Sequence, residues 1–100
     1  MQVKFRTTQL LRCYESHTEA TRRWGAAVAR RYVQRINDLY AAETIENLYR
    51  IPSLRFHALK GDRQGQYALA LTDRARLIVG VAGAPETIVW VEEVSKHYGD

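Results

Sequence analysis

Three side chains that can hold a phosphate lie close together in the sequence: His57, Lys60 and Arg63. They belong to the stretch Leu54–Tyr67, in which alternating apolar residues lead into a turn flanked by glycines. A histidine titrates near neutral pH while lysine and arginine stay charged, so the three offer a phosphate both charge and a transferable proton. The same residues also fit an exposed hairpin tip, which is the interpretation that the turn alone favours.

A strand and two helices are predicted ahead of this turn. Apolar and polar residues alternate over residues 2–6, which predicts a short strand with one buried face. Thr7 or Thr8 can cap a first helix that ends near Ser16 and His17. His17 is then interpreted as a solvated or capping residue at the C-terminus of that helix.

The second helix is predicted to be long, since only Gly25 interrupts a helical pattern that Thr18 or Thr21 can cap. Its apolar residues share one sector and are predicted to face the core: Val28, Ala29, Tyr32, Val33, Ile36, Leu39 and Tyr40. Arg31 and Arg35 border that sector beside Trp24, which predicts a cation–π contact. A solvated helix face and an RNA- or partner-binding surface are the two interpretations of these arginines.

The second half of the chain has the period of strands. A short helical turn near Thr44 is stopped by Pro52, and strands are predicted to follow over residues 54–58, 66–71, 75–81 and 87–91. The last is continuously apolar, which predicts a strand buried on both faces in the middle of a sheet, with Trp90 in the core.

This order of elements predicts an α+β fold in a single domain over residues 1–100. An N-terminal strand and two helices are expected to pack on a mainly antiparallel sheet of four to five strands. The net charge is +4, with nine basic against five acidic residues in the first half of the chain, which permits nucleic-acid binding without demonstrating it.

Membrane, metal and thiol chemistry are not expected. The sequence contains no apolar run long enough to cross a bilayer and no N-terminal secretory signal, so we expect a cytoplasmic protein. Cys13 is the only cysteine and is interpreted as a small buried residue near a helix. The three histidines have no metal-ligand spacing, so neither a metal nor another cofactor is expected.

The chain resembles the HigB branch, of the plasmid-maintenance-killer type, within the RelE/ParE toxin superfamily. The resemblance rests on Leu54–Tyr67, Ala75–Ile78 and Glu92–Tyr98, and with a weaker N-terminal match it covers essentially the whole chain. It implies a RelE-like fold and a toxin of a type II toxin–antitoxin pair that cuts messenger RNA at the ribosome. It also implies a small helix-turn-helix antitoxin as partner.

Such a toxin directs a ribose 2′-hydroxyl onto the adjacent phosphate and needs no metal. The protein orients the hydroxyl, moves protons and stabilises the negative charge that develops on phosphorus. By position, the resemblance assigns catalysis to His57, Lys60, Arg76, His97 and Tyr98. It leaves open which of the last two rings transfers a proton, because HigB proteins usually carry this pair as Tyr-His. The neighbouring cations are assigned to RNA binding: Arg55, Arg63, Arg74 and Lys96.

One position departs from the pattern of catalytic relatives. Many of them carry an arginine on the strand after the basic turn, where this chain has Ala70. Arg63, Arg74 or Arg76 can supply that charge; otherwise the chain is weakly active or acts on another target. The alternative function is therefore a non-catalytic binder, either a ParE-like gyrase poison or an inactive homologue that engages its antitoxin. Arg76 also has a structural interpretation, as a cross-strand partner of a glutamate at 92 or 93.

Overall fold

The chain folds into a five-stranded sheet with helices packed on one face. The computed structural model describes residues 1–83 and 85–96. The N-terminal half consists of β1 (Gln2–Phe5), α1 (Thr8–Glu15), α2 (His17–Trp24), α3 (Ala26–Ala41) and α4 (Ile45–Tyr49). The remaining strands are β2 (His57–Ala58), β3 (Gln66–Thr72), β4 (Ala75–Ala82) and β5 (Ile88–Ser95). Single helical turns lie at Pro52–Leu54 and Gly61–Arg63.

The helix boundaries confirm part of the prediction and correct the rest. Thr7 caps α1 as predicted, its side chain accepting a hydrogen bond from the backbone of Leu10. Ser16 then ends α1 and caps α2, accepting from the backbone of Glu19. The predicted end of the first helix near Ser16 and His17 is confirmed, but His17 begins the next helix, so its predicted place at a C-terminus is wrong. A serine directly after one helix is a strong start signal for the next, which favours Ser16 over the later threonines as the cap.

Gly25 divides the predicted second helix into α2 and α3. Its φ of 87° lies in the left-handed region that favours glycine, so the two helices meet at an angle. The predicted apolar sector of α3 is confirmed at its centre, where Tyr32 and Ile36 are fully buried. In place of the predicted cation–π contact, Trp24 packs against Tyr32 with ring centroids 4.7 Å apart.

The sheet has the strand order β1-β5-β4-β3-β2. β1 is parallel to β5, and every other neighbouring pair is antiparallel. The predicted α+β class and the mainly antiparallel five-stranded sheet are confirmed. Within the described residues, no helix is both long and apolar enough to cross a membrane.

The two faces of the sheet differ sharply. The face toward the helices contributes fully buried residues to the core, among them Leu69, Leu77, Val79, Val89 and Val91. We call the other face, which carries Trp90 and Glu93, the open face. The predicted interior position of β5 is confirmed, but its predicted burial on both faces is wrong, since Trp90 is only half-buried. The helices cover one side only, so alternate residues of β5 stay partly exposed.

Candidate functional site

A row of cross-strand partners places His57 on the open face. His57 pairs with Ala68, which pairs with Ile78, which in turn pairs with Glu93. Directly paired residues of adjacent strands point to the same side of a sheet. Ala68 and Ile78 are buried, yet they lie outside the cluster that packs on the helices. Something on the open face must therefore cover them.

The basic turn, residues 60–65, supplies part of that cover. It connects β2 to β3 and is closed by a hydrogen bond from the Leu59 backbone N–H to the Gln66 carbonyl, 2.9 Å. Arg63 reaches from this turn to Glu93 on β5, at 2.7 Å, and also donates to the side chain of Gln66. The turn thus arches over the middle strands of the open face.

The turn and β2 together enclose a groove of about 490 Å³. It is lined by residues that share one short segment: His57, Ala58, Leu59, Lys60 and Arg63. We call it the basic groove. The three donors that the sequence grouped are therefore brought together by the fold. Lys60 is exposed at the groove, whereas the charge of Arg63 is matched by the carboxylate of Glu93.

His57 is held by the backbone two residues before it. Its Nδ1 lies 2.8 Å from the carbonyl oxygen of Arg55. A carbonyl only accepts hydrogen bonds, so Nδ1 carries the proton and, in the neutral ring, Nε2 carries the lone pair. Arg55 adopts a φ of 49°, the one left-handed non-glycine conformation among the described residues. This bend turns its carbonyl toward the imidazole.

Arg76 lies on the same face but outside the basic groove. It pairs with Ala70, one row beyond His57 and two strands away, which puts their Cα atoms about 12 Å apart at ordinary strand spacing. Its Nη1 donates to the carbonyls of Thr72 at 2.6 Å and Ala75 at 3.0 Å, at the β3–β4 turn. The structure therefore places Arg76 beside the position that lacks the arginine of catalytic relatives. The acidic partners suggested for it are engaged elsewhere, Glu92 by Arg6 and Glu93 by Arg63.

The other assigned residues are dispersed. Arg74 is exposed at the β3–β4 turn, and Lys96 is exposed directly after β5. Arg55 lines a different groove, described below. The assignments to His97 and Tyr98 lie outside the described residues.

A second groove, of about 440 Å³, lies between α3 and the β3–β4 turn. Its lining includes four arginines, and we call it the arginine groove: Arg30, Arg31, Arg35 and Arg55. Arg35 is buried there. Its guanidinium donates to the carbonyls of Ala70 at 2.8 Å and Ser53 at 3.3 Å. The solvated interpretation is therefore wrong for Arg35, which ties α3 to the backbone of β3.

Sequence reasoning also missed the surroundings of Trp90. Arg6 lies over its ring at 4.3 Å from the centroid, and Lys4 lies 5.6 Å away. The signal was present in β1, where Lys4 and Arg6 alternate with the inward residues Val3 and Phe5. Because β1 is parallel to β5 in this register, those cations had to meet whatever stood outward on β5.

Thiol and metal chemistry find no support in the described part of the chain. Cys13 is 1% exposed in α1, as predicted, and burial raises the pKa of its thiol. A buried neutral thiol is a poor nucleophile. Among residues 1–83 and 85–96, no three His, Cys, Asp or Glu side chains are grouped so that they can hold a metal ion.

Comparison with known proteins was informative at the level of structure. No family model matches the sequence, and no curated protein matches it significantly. The fold is similar to a YoeB/ParE toxin from Agrobacterium tumefaciens, with a TM-score of 0.59 and 27% identity over 98% of this chain and 100% of that chain. It is also similar to a chain of a YoeB-YefM complex from Staphylococcus aureus, with a TM-score of 0.54 and 18% identity over 98% of each chain. At that identity the second match shows the fold alone.

The fold and the match to the Agrobacterium toxin identify the chain as a member of the RelE/ParE-type toxin superfamily. They support a toxin of a toxin–antitoxin pair as its broad function. Both matched structures are described as YoeB proteins, so assignment to the HigB branch rests on the sequence motifs around His57 and Lys60.

Proposed function

We propose that the chain is a HigB-like toxin that cuts messenger RNA at the ribosome without a metal. The observation that carries this proposal is the bond from His57 Nδ1 to the Arg55 carbonyl, 2.8 Å, in the groove that Lys60 also lines. It puts an imidazole of fixed tautomer and an ammonium group in one concave site. A base beside a cation is the minimum that transfer between a hydroxyl and a phosphate needs.

In this reaction the neutral His57 ring accepts the proton of the ribose 2′-hydroxyl at Nε2. The 2′-oxygen then forms a bond to phosphorus, and the bond from phosphorus to the 5′-oxygen breaks, leaving a cyclic phosphate on one fragment. Lys60 offsets the negative charge that develops on the phosphate oxygens, with Arg76 contributing from the next row. The resemblance gives His97 or Tyr98 the task of protonating the leaving 5′-oxygen.

A protein partner belongs to the same proposal. The YoeB relative from Staphylococcus aureus was solved as a complex with YefM, and the HigB resemblance implies a helix-turn-helix antitoxin. We infer that this chain is neutralised by such an antitoxin and that messenger RNA and the ribosome are its targets.

A non-catalytic binder is the second candidate, favoured by the charges on the open face. Ala70 stands opposite Arg76 where catalytic relatives have arginine, and Arg63 is paired with Glu93. A gyrase poison would cause DNA damage while transcripts remain intact. An inactive homologue would bind its antitoxin without arresting growth.

The test is induced expression followed by transcript mapping. We expect the parent chain to arrest growth and to cut transcripts. Lys60→Ala together with Arg76→Ala should lower the cleavage rate by about 10²- to 10⁴-fold, because charge stabilisation and hydroxyl orientation are both weakened. Arg12→Ala together with Arg50→Ala removes the same charge from exposed positions in α1 and directly after α4, and should leave cleavage near the parent rate. Equal cleavage by both double variants would refute the proposed site.

A further inference from the structure

The open face carries a second feature that the proposed cleavage does not use. Trp90 stands on β5 directly opposite Lys4 of β1, with the Lys4 ammonium 5.6 Å from the ring centroid. The Arg6 guanidinium lies over the same ring at 4.3 Å. The indole is only half-buried, whereas Val89 and Val91, on the other side of the same strand, are fully buried. An aromatic ring with two cations on a sheet face that the helices do not cover is the composition of a single-strand stacking site.

The strand on the other side of Trp90 leaves room for the Glu92 carboxylate. Its partner on β4 is Gly80, which has no side chain. A Cβ at that position would lie 2.8 Å from the Glu92 carboxylate, so glycine is what lets this carboxylate fold over β4. Arg6 holds the carboxylate with two hydrogen bonds, 2.9 and 2.8 Å. The guanidinium is thereby held over one face of the ring, and its own exposed outer plane is part of the stacking surface, because bases stack on guanidinium planes as well as on aromatic rings.

Trp90 and the basic groove lie on the same face of the sheet, which also carries the Arg63–Glu93 ion pair. Trp90 is one row from His57 and three strands across, which gives about 16 Å between their Cα atoms at ordinary strand spacing and rise. A single strand a few nucleotides long covers that distance. An RNA whose phosphate sits at Lys60 can therefore run across the strands toward β1.

We propose that Trp90, with Lys4 and Arg6, is a subsite on which a base of the bound single-stranded RNA stacks, a few nucleotides from the phosphate that is cut. The inference rests on the proposed function and names where the rest of the substrate lies. The Lys4 ammonium engages a flanking phosphate, since the charge of the Arg6 guanidinium is already paired with Glu92. Stacking accepts any base, so this subsite adds affinity rather than sequence preference.

The probe is a short single-stranded oligouridine with 2′-O-methyl groups, which binds but cannot be cut. Two measurements run in one titration: anisotropy of a label on the RNA reports binding, and indole fluorescence reports stacking. Trp24→Phe makes Trp90 the only indole of the chain. Affinities are also compared for Trp90→Phe and Trp90→Leu in the otherwise unaltered chain, with thermal melting confirming that each variant folds.

We expect indole quenching that follows the anisotropy, near-parent affinity for Trp90→Phe and about 5- to 150-fold weaker binding for Trp90→Leu. Leucine keeps apolar area but removes the aromatic ring. Binding seen by anisotropy without quenching, and with Trp90→Leu equal to the parent, overturns the stacking site while the proposed function stands. No anisotropy change for the parent chain counts against RNA as the substrate itself, and the subsite falls with it.

Discussion

The same strands build two sheet faces of opposite character. On β5, Val89 and Val91 are fully buried against the helices, whereas their neighbours Trp90 and Glu93 are partly exposed on the open face. The covered face is closed by packing, and its residues determine stability. The open face keeps its charges accessible, and we place the chemistry there. The comparison shows that the elements packed on a strand, rather than the composition of the strand, decide which of its side chains solvent and ligands can reach.

Two arginines near Ala70 show the contrast at single residues. From the covered side, Arg35 donates to the Ala70 carbonyl and is 7% exposed. From the open side, Arg76 pairs with Ala70 across the strands and donates to the carbonyl of Thr72. The first guanidinium stabilises the backbone of β3. The second lies on the open face, where we propose that the phosphate binds.

Among the substitutions proposed here, replacement of Arg35 should cause the largest loss of stability. Arg35→Met keeps the aliphatic stem but leaves the carbonyls of Ala70 and Ser53 without this donor, so we expect a loss of about 3 kcal/mol in the free energy of unfolding. Urea denaturation measures it. Arg31→Met, at an exposed site on the same helix, should change stability by less than about 0.5 kcal/mol. Equal effects would mean that Arg35 is not the tie between α3 and β3.

Placing an arginine at position 70 should affect the open face. The quantity that we expect to change is the rate of RNA cleavage. Ala70→Arg puts a guanidinium beside Arg76, and we expect RNA cleavage about tenfold faster, worth about 1.4 kcal/mol of transition-state stabilisation. Like charges opposite each other cost some stability, so melting should fall slightly. Ala70→Gln, a long neutral side chain, controls for bulk. An unchanged rate would mean that charge at this position does not limit cleavage, whereas no cleavage by the parent or by either variant would favour the non-catalytic alternative.

Much of the fold could be predicted from periodicity. The alternation in β1, the apolar sector of α3 and the hairpin signal at residues 72–74 depend on local sequence, and they are confirmed except at Tyr40, the last residue of the sector, which is 46% exposed. The division at Gly25 was missed because a glycine inside a helical pattern is compatible with either a continuous helix or a break. The exposure of Trp90 was missed because a continuous apolar run does not reveal that helices cover only one face.

The candidate site likewise has one part that local sequence predicts and another that depends on the tertiary structure. His57, Lys60 and Arg63 are close in sequence, so one turn was enough to bring them together, as predicted. The pairing of Arg63 with Glu93 joins residues from distant strands and depends on the register of the whole sheet. Arg35 has the sequence signature of any arginine at the border of an apolar sector. Only the tertiary position of the Ala70 carbonyl distinguishes a buried tie from a solvated charge.

The smallest effect is expected on the covered side, at the contact between α1 and α3. The hydroxyl of Tyr32 donates to the Leu10 carbonyl at 2.7 Å, and both residues are buried. Tyr32→Phe should lower stability by about 1 kcal/mol, since one neutral hydrogen bond is lost. Tyr14→Phe, which removes a more exposed hydrogen bond to Asn37 between the same helices, should cost less.

The pH dependence of the stability difference between the parent chain and Tyr32→Phe tests directly whether the Tyr32 hydroxyl is buried. Burial raises the pKa of Tyr32 in the folded chain above the value of about 10 found in unfolded chains. The unfolded chain therefore loses this proton first, and the stability linked to Tyr32 is complete below about pH 10 and declines as the pH rises further. Phenylalanine has no such proton, so the gap between parent and Tyr32→Phe should narrow in urea denaturation above about pH 10. A gap that stayed constant would show that Tyr32 ionises equally in both states, and the covered face would then be less closed than its packing indicates.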